Sequence, residues 1–188
     1  RPTGSSDPYA LRRAGNGVLL ILWNQGWKLD LNLFLAKAVE TWRELFPAFA
    51  VDTAQLTSDL SALLRQRITS QLEDDGYAAD LVQAVAGGTV PTKRLLRDPL
   101  DVRVRIQLLR GLRDQGRLTA VQGVVQRASR LAEKGDLPLD VLSSTEVVDP
   151  SRFESASEKG LFDATKRLNP LAESGAYQEL CDVLVEST

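Results

Sequence analysis

The 188-residue sequence contains no histidine, and this absence excludes several classes of catalytic and metal site. Zinc sites built on imidazole, catalytic triads that use histidine and the His-Asp metal site of phosphohydrolases cannot be assembled from this chain. The single cysteine, Cys181, excludes an internal disulfide bond and is typical of a reducing compartment, so we expect a cytoplasmic protein. Methionine is absent even at the first position, so we expect the chain to be part of a longer protein.

Long apolar runs and nucleotide-binding loops are also missing. The longest apolar run, residues 18–23, is far shorter than the roughly 20 residues that cross a bilayer, so no membrane segment is expected. No glycine-rich loop ends in Lys-Ser or Lys-Thr, which leaves no visible phosphate loop. The neighbouring carboxylates of Asp74 and Asp75 precede Gly76 and indicate a turn rather than a Mg²⁺ site. The sequence therefore offers no candidate catalytic residue and no candidate metal ligand.

The residues that are present favour helices. Aromatic residues make up only 6% of the chain, whereas Ala, Leu, Arg, Glu and Gln, which have high helix propensity, are frequent. A first helix is predicted near Asp7, capped by Ser6 or Asp7 with Pro8 in its first turn, and later helices are predicted to start at Asp30, Asp52 and Asp98. We predict an all-α protein made of two helical bundles.

Apolar residues at three- and four-residue steps predict the buried face of each helix. The first helix has such a stripe at Leu11, Ala14, Val18 and Leu22, with Gly15 and Gly17 leaving room for a close neighbour. We expect the aromatic set Trp27, Phe34, Trp42 and Phe49 to lie in the core. Two further predicted stripes are Leu56, Leu60, Leu63, Leu64, Ile68 and Leu72, and Leu118, Val121, Val124, Val125, Ala128, Leu131 and Ala132.

The segment Gly87–Pro91 is the best candidate for a domain boundary, because it combines two glycines and a proline where the charge changes. Residues 93–130 hold 10 basic and 3 acidic side chains, whereas residues 131–188 hold 5 and 12. The boundary would divide the chain into domains 1–90 and 91–188.

The basic segment contains two predicted helices that direct cations away from their apolar arcs. At ~100° per residue, Arg103 and Arg110 lie opposite one arc, and Arg127, Arg130 and Lys134 lie opposite the next. Such a surface can bind an anionic partner, but a solvated helix pair balanced by the acidic tail explains the charge equally well.

Four sequence segments resemble those of one known family. PTGSSDPYALRR, continuing as AGNGVLLIL, is similar to a signature of the bacterial heterotetrameric glycyl-tRNA synthetase beta subunit, and KLDLNLFLAKAV, EDDGYAADLVQAVAG and ESGAYQELCDVLVE extend the likeness over nearly the whole chain. The resemblance implies a C-terminal fragment of such a subunit. Residues 1–90 would hold the end of a His-Asp-like helical region with linker helices. Residues 91–188 would form a helical anticodon-binding domain, similar to that of arginyl-tRNA synthetases and truncated at its C-terminus.

The resemblance also implies a function, namely tRNA binding and anticodon recognition in the enzyme that attaches glycine to its tRNA with ATP. Arg103, Arg110, Arg127, Arg130 and Lys134 are then expected to bind RNA, because a domain that holds an anticodon stem must neutralise phosphates. The implied partners are the tRNA for glycine and an alpha subunit, in a tetramer of two alpha and two beta subunits.

ATP and Mg²⁺ would be bound through the alpha subunit, so the resemblance implies no cofactor and no catalysis for this fragment alone. The alternative hypothesis is a helical protein-interaction module whose basic face meets an acidic partner.

Overall fold

The structure is a computed structural model that describes residue 7, residues 9–135 and residues 148–186. In these residues it contains nine α-helices and no β-strand, which confirms the predicted all-α class. The helices are α1 (Leu11–Gln25), α2 (Leu31–Leu45), α3 (Thr53–Asp74), α4 (Ala79–Ala86), α5 (Thr92–Arg97), α6 (Pro99–Asp114), α7 (Leu118–Lys134), α8 (Ala156–Ser174) and α9 (Tyr177–Glu186). A short 3₁₀ turn, Pro150–Arg152, precedes α8.

The chain divides into two compact units, an N-terminal unit of residues 1–110 and a C-terminal unit of residues 111–188. The division falls within α6, and not at Gly87–Pro91 where composition predicts it. Helix α5 and the first turns of α6 belong to the N-terminal unit because Leu96 and Ile106 join the same buried cluster as Leu19 of α1. Packing and charge therefore change at different points of the chain, and the two functional domains proposed from sequence remain a prediction.

Helix α3 is the centre of the N-terminal unit, since α1, α2, α4 and α5 all pack against it. Its buried residues are Leu64, Ile68 and Leu72, which confirms the second half of the predicted stripe. The first half, at Leu56 and Leu60, is only half-buried. Each fully buried leucine or isoleucine contributes about 1.5–3 kcal/mol.

The predicted starts of α2, α3 and α6 are confirmed, and each has an aspartate cap. The carboxylates of Asp30, Asp52 and Asp98 accept hydrogen bonds from the backbone N–H groups two and three residues ahead, at N···O distances of 2.8–3.3 Å. These bonds satisfy N–H groups that have no partner within the helix.

Helix α1 begins at Leu11, so the prediction of a start near Asp7 is wrong. A turn closed by the Ala10 N–H and the Asp7 carbonyl oxygen (3.1 Å), with Ala10 in the left-handed region at φ 55°, separates Asp7 from the helix. The Asp7 carboxylate still accepts from the N–H groups of the second and third helical residues, at 3.3 and 3.4 Å. The alternative cap Ser6 and the predicted first-turn Pro8 lie outside the described residues.

The buried face of α1 is rotated by about one residue from the predicted stripe, and consists of Gly15, Leu19, Leu22 and Trp23. A Cβ atom built on Gly15 would lie 3.0 Å from Cγ of Arg67 on α3, so the missing side chain permits the close approach of the two helices. Around Gly17, no atom of another described element lies within 4 Å of such a Cβ, so the predicted close neighbour is confirmed at Gly15 and wrong at Gly17.

The predicted burial of the aromatic set is wrong. Trp27, Phe34 and Phe49 are 57%, 52% and 62% exposed, and Trp42 is half-buried. Helix α2 instead buries the stripe Leu31, Leu35 and Val39, which leaves Phe34 on another face. Trp42 continues this stripe in the last turn of α2 but is only half-buried, and Trp27 and Phe49 lie outside the helix. Trp42 and Phe49 contact each other at the surface, with ring centroids 6.0 Å apart.

In the C-terminal unit, α9 packs against both α7 and α8. The Arg117 guanidinium, just before α7, forms a 2.6 Å ion pair with Asp182 of α9. Of the predicted α7 stripe only Val121 is buried, whereas Val125 and Leu131 are 49% and 69% exposed. The predicted burial of the whole arc is therefore wrong in the part of the chain that the structure describes, because one neighbouring helix covers only part of the arc.

Candidate nucleic-acid interface

The five predicted RNA-binding residues fall into two groups, one in each compact unit. Arg103 and Arg110 belong to the N-terminal unit and lie two turns apart on α6. Arg127, Arg130 and Lys134 lie on α7 of the C-terminal unit. The two groups therefore do not form one site within a single unit.

Arg103 is engaged within its own unit. Its side chain is 28% exposed and forms a 3.8 Å ion pair with Asp75, at the end of α3. Its guanidinium carbon lies 5.3 Å from the ring centroid of Trp23, whose Nε1–H donates a buried 2.9 Å hydrogen bond to the Pro99 carbonyl oxygen. These contacts join α1, α3 and α6, so Arg103 has a structural role whether or not it also contacts RNA.

Arg110 is exposed, but its position is defined by an aromatic neighbour. Its guanidinium carbon lies 5.6 Å from the ring centroid of Tyr77, which precedes α4. A guanidinium held over an aromatic ring loses fewer conformations when it meets a phosphate, because part of its ordering has already taken place.

The α7 group presents cations that have no ion-pair partner among the residues that the structure describes. Arg127, Arg130 and Lys134 follow the spacing i, i+3, i+7, which places them along one face of the helix. All three are exposed, and no described residue forms an ion pair or hydrogen bond with their side chains. Their charge is available to an anionic partner, and we define them as the α7 basic face.

Sequence reasoning missed two arginine-containing features of the N-terminal unit. Lys93, Arg94 and Arg97 are exposed on α5, and the high positive charge of residues 93–130 was the signal that could have identified them. Arg65 of α3 is half-buried and binds the loop before α5, and no local pattern in the sequence distinguishes it.

The carboxylates with perturbed acidity are helix caps. Backbone N–H groups of Ser155 and Glu154 lower the pKa of Glu158, which completes a capping box at the start of α8. The hydroxyl and N–H of Ser151 likewise lower the pKa of Asp149. Burial raises the pKa of the Cys181 thiol, which lies 6% exposed on α9. These shifts have structural causes and indicate no acid-base pair.

The described part of the chain contains neither a metal-ligand cluster nor a membrane-spanning helix. No group of three or more potential metal-binding side chains lies together in residues 7, 9–135 and 148–186. No helix in the same residues is long and apolar enough to cross a membrane.

The family and the curated proteins that this chain resembles share one description. Residues 1–87 match the family described as Glycyl-tRNA synthetase beta subunit. The chain is 37% identical over 189 residues to the glycine–tRNA ligase beta subunit of Picosynechococcus sp., covering 97% of this chain and 26% of that protein.

Two other relatives carry the same description. The Acaryochloris marina protein is 39% identical over 191 residues (98% of this chain and 26% of that protein). The Pediococcus pentosaceus protein is 30% identical over 185 residues (97% and 25%). The chain thus spans about a quarter of the length of the curated relatives it matches. No solved structure matches it.

Proposed function

Because the chain belongs to the family of glycyl-tRNA synthetase beta subunits, we propose that it is the part of such a subunit that binds the tRNA for glycine and recognises its anticodon. In this role it supports the ATP-dependent attachment of glycine to tRNA in the cytoplasm. Activation of glycine with ATP and Mg²⁺ takes place on a separate alpha subunit, with which the beta subunit assembles. The observation that supports the RNA-binding role is the exposed α7 basic face, whose cations form no ion pair within residues 7, 9–135 and 148–186.

The α7 basic face suits a phosphate backbone for electrostatic reasons. Cations along one helix face can neutralise successive phosphates and release their condensed counterions. Arginine also offers two parallel N–H donors to a phosphate. Phosphate contacts position an RNA, whereas discrimination between anticodons requires contacts with unstacked bases. The proposal therefore has a phosphate-binding component and a base-reading component, which are tested separately.

The phosphate-binding component is tested with the double variant Arg127→Ala/Arg130→Ala. Binding of a glycine tRNA transcript is measured over a range of KCl concentrations, and the slope of log K against log [KCl] should flatten by about one to two units. The matched control, Arg152→Ala/Arg167→Ala, removes the same charge from the same unit. Its arginines have partners, Asp149 at 3.5 Å and Glu186 at 3.3 Å, and the slope should not change.

The base-reading component is tested with a glycine tRNA whose anticodon bases are replaced. Loss of a base contact is worth about 1–3 kcal/mol, so the altered tRNA should bind at least about fivefold more weakly. Equal affinity for both tRNAs would remove anticodon recognition from the proposal. If, in addition, the salt slope of the α7 variant equals that of its control, the alternative of a basic face for an acidic protein partner is favoured.

A further inference from the structure

Helix α5 combines a fully buried side with a strongly basic side. Leu95 and Leu96 are 0% exposed and belong to the core of the N-terminal unit. Lys93, Arg94 and Arg97 are exposed, and we define these three residues as the α5 cations. A six-residue helix thus holds three positive charges at the surface on a backbone that the core fixes.

The backbone of α5 and of the loop before it is also held by polar contacts. The Arg65 guanidinium donates to the Thr92 hydroxyl at 3.0 Å, to the Gly87 carbonyl oxygen at 2.6 Å and to the Val90 carbonyl oxygen. The Asn32 side-chain amide of α2 donates to the Lys93 carbonyl oxygen at 2.9 Å. Two neighbouring helices therefore fix the position from which the α5 cations extend, which reduces the entropy lost on binding.

The α5 cations have no ion-pair partner in the part of the chain that the structure describes, but Arg97 is partly offset by a nearby carboxylate. Burial raises the pKa of Asp30, whereas its hydrogen bonds from Asn32 and Leu33 and the charge of Arg97 lower it below the usual value. No acidic residue occurs in the sequence between Asp80 and Asp98. Among the residues that the structure describes, none forms an ion pair with Lys93, Arg94 or Arg97. By contrast, Arg65 in the same region uses its guanidinium for the loop.

We propose that the α5 cations form a second phosphate-binding surface, in the N-terminal unit, for the RNA that the α7 basic face binds. The inference rests on the proposed function. An RNA backbone suits this surface better than an acidic protein does, because protein interfaces are built around a buried apolar centre and the apolar side chains of α5 are already buried in the core. Contact with phosphates alone makes this surface independent of the tRNA sequence.

The test compares two double variants of the N-terminal unit, each of which loses one lysine and one arginine. Lys93→Gln/Arg94→Gln alters α5, and the control Lys37→Gln/Arg43→Gln alters exposed residues of α2. The α5 variant should bind a glycine tRNA transcript at least about fivefold more weakly than the control, and its salt slope should flatten by about one to two units. The control should stay within about twofold of the wild type.

Two readouts separate this surface from the α7 basic face. Hydroxyl-radical footprinting of the bound tRNA should lose protection in the α5 variant at nucleotides that the Arg127→Ala/Arg130→Ala variant still protects. Replacing the anticodon bases should weaken binding by the same factor in the wild type and in the α5 variant.

If the α5 variant binds like its control while the α7 variant loses affinity, the inference is overturned and the proposed function stands. If the wild type binds no tRNA, both fail. If the α5 variant keeps its tRNA affinity but loses binding to an acidic polypeptide such as polyglutamate, the surface is a protein-binding site and the inference is also wrong.

Discussion

Replacing Arg65 with methionine removes the donors that hold the loop before α5 while retaining most of the side-chain volume. The wild-type guanidinium serves three acceptors, the carbonyl oxygens of Gly87 and Val90 and the hydroxyl of Thr92. A hydrogen bond contributes about 1 kcal/mol net, and more when the donor is charged. The Gly87 carbonyl belongs to a buried residue, whereas water can reach the half-buried Val90.

These contributions give an expected loss of about 2–4 kcal/mol in the free energy of unfolding, or about 4–16 °C in Tm for a chain of this size. Urea titration followed by circular dichroism at a helix band measures the loss. Hydrogen exchange adds a local test. Relative to the wild type, Arg65→Met should raise the amide exchange rates of residues 87–97 more than those of α1.

Arg67→Met is the matched control, because Arg67 lies two residues away on the same helix and is also half-buried. The Arg67 guanidinium makes one long hydrogen bond, to the Ser70 hydroxyl at 3.4 Å, and its Nε has no partner among the described residues. Its Cγ atom packs near Gly15, and methionine keeps that atom. The expected loss is below about 1 kcal/mol. Equal destabilisation by the two variants, or a change below about 0.5 kcal/mol in Arg65→Met, would refute this account of the loop.

Two further predictions concern a glycine and a capping carboxylate. Gly87→Ala should destabilise the chain by about 1–3 kcal/mol in urea titration, because its Cβ would overlap the Gln83 carbonyl oxygen. At Gly88 no described atom lies within 4 Å of an added Cβ, so Gly88→Ala should change stability by less than about 0.5 kcal/mol. Equal values for the two variants would contradict the predicted clash. Backbone donors lower the native pKa of Glu158. The contribution of this cap to the free energy of unfolding is therefore present above the unfolded pKa of about 4.3, and it is lost as the pH falls toward the lower native pKa. Urea midpoints of wild type and Glu158→Gln should therefore converge on acidification, and parallel pH profiles would show that the cap contributes nothing.

Local signals predicted the helices well because caps and breakers act within a few residues. Asp30 and Asp98 each bond to N–H groups two and three positions ahead, so their role can be inferred from the sequence around them. Gly76, at φ 79°, ends α3 for an equally local reason. Asp7 shows the limit of such inference, because an intervening turn moves the helix start to Leu11 while the carboxylate still caps it.

Burial was harder to predict, because a helix with apolar residues on several faces does not specify which face its neighbours cover. On α2, the aliphatic stripe that includes Leu35 is buried and Phe34 is exposed, although both residues are apolar and adjacent. On α1, Gly15 lies on the buried face because its lack of a side chain leaves room for Arg67 of α3. Both outcomes depend on a neighbouring helix, which periodicity within one helix does not describe.

The sequence predicted only part of the candidate interface, because the contacts of its arginines also depend on neighbouring helices. Helical spacing correctly placed Arg127 and Arg130 at the surface. It could not show that the Arg103 guanidinium lies over the Trp23 ring, because that contact joins residues eighty positions apart in the chain. Arg65 likewise bonds to a loop more than twenty residues away. Distinguishing an available arginine from a structural one requires the tertiary contacts.

The positions of the tryptophans give the two compact units different optical signals. The chain has three tryptophans, Trp23, Trp27 and Trp42, and all of them precede residue 110. Fluorescence excited selectively at tryptophan therefore reports on the N-terminal unit, whereas circular dichroism sums the helices of both units. If the units unfold together, the two signals follow one denaturation curve. If they unfold separately, the transition of the C-terminal unit appears in the dichroism with no change in emission, so each unit's stability can be measured without cutting the chain.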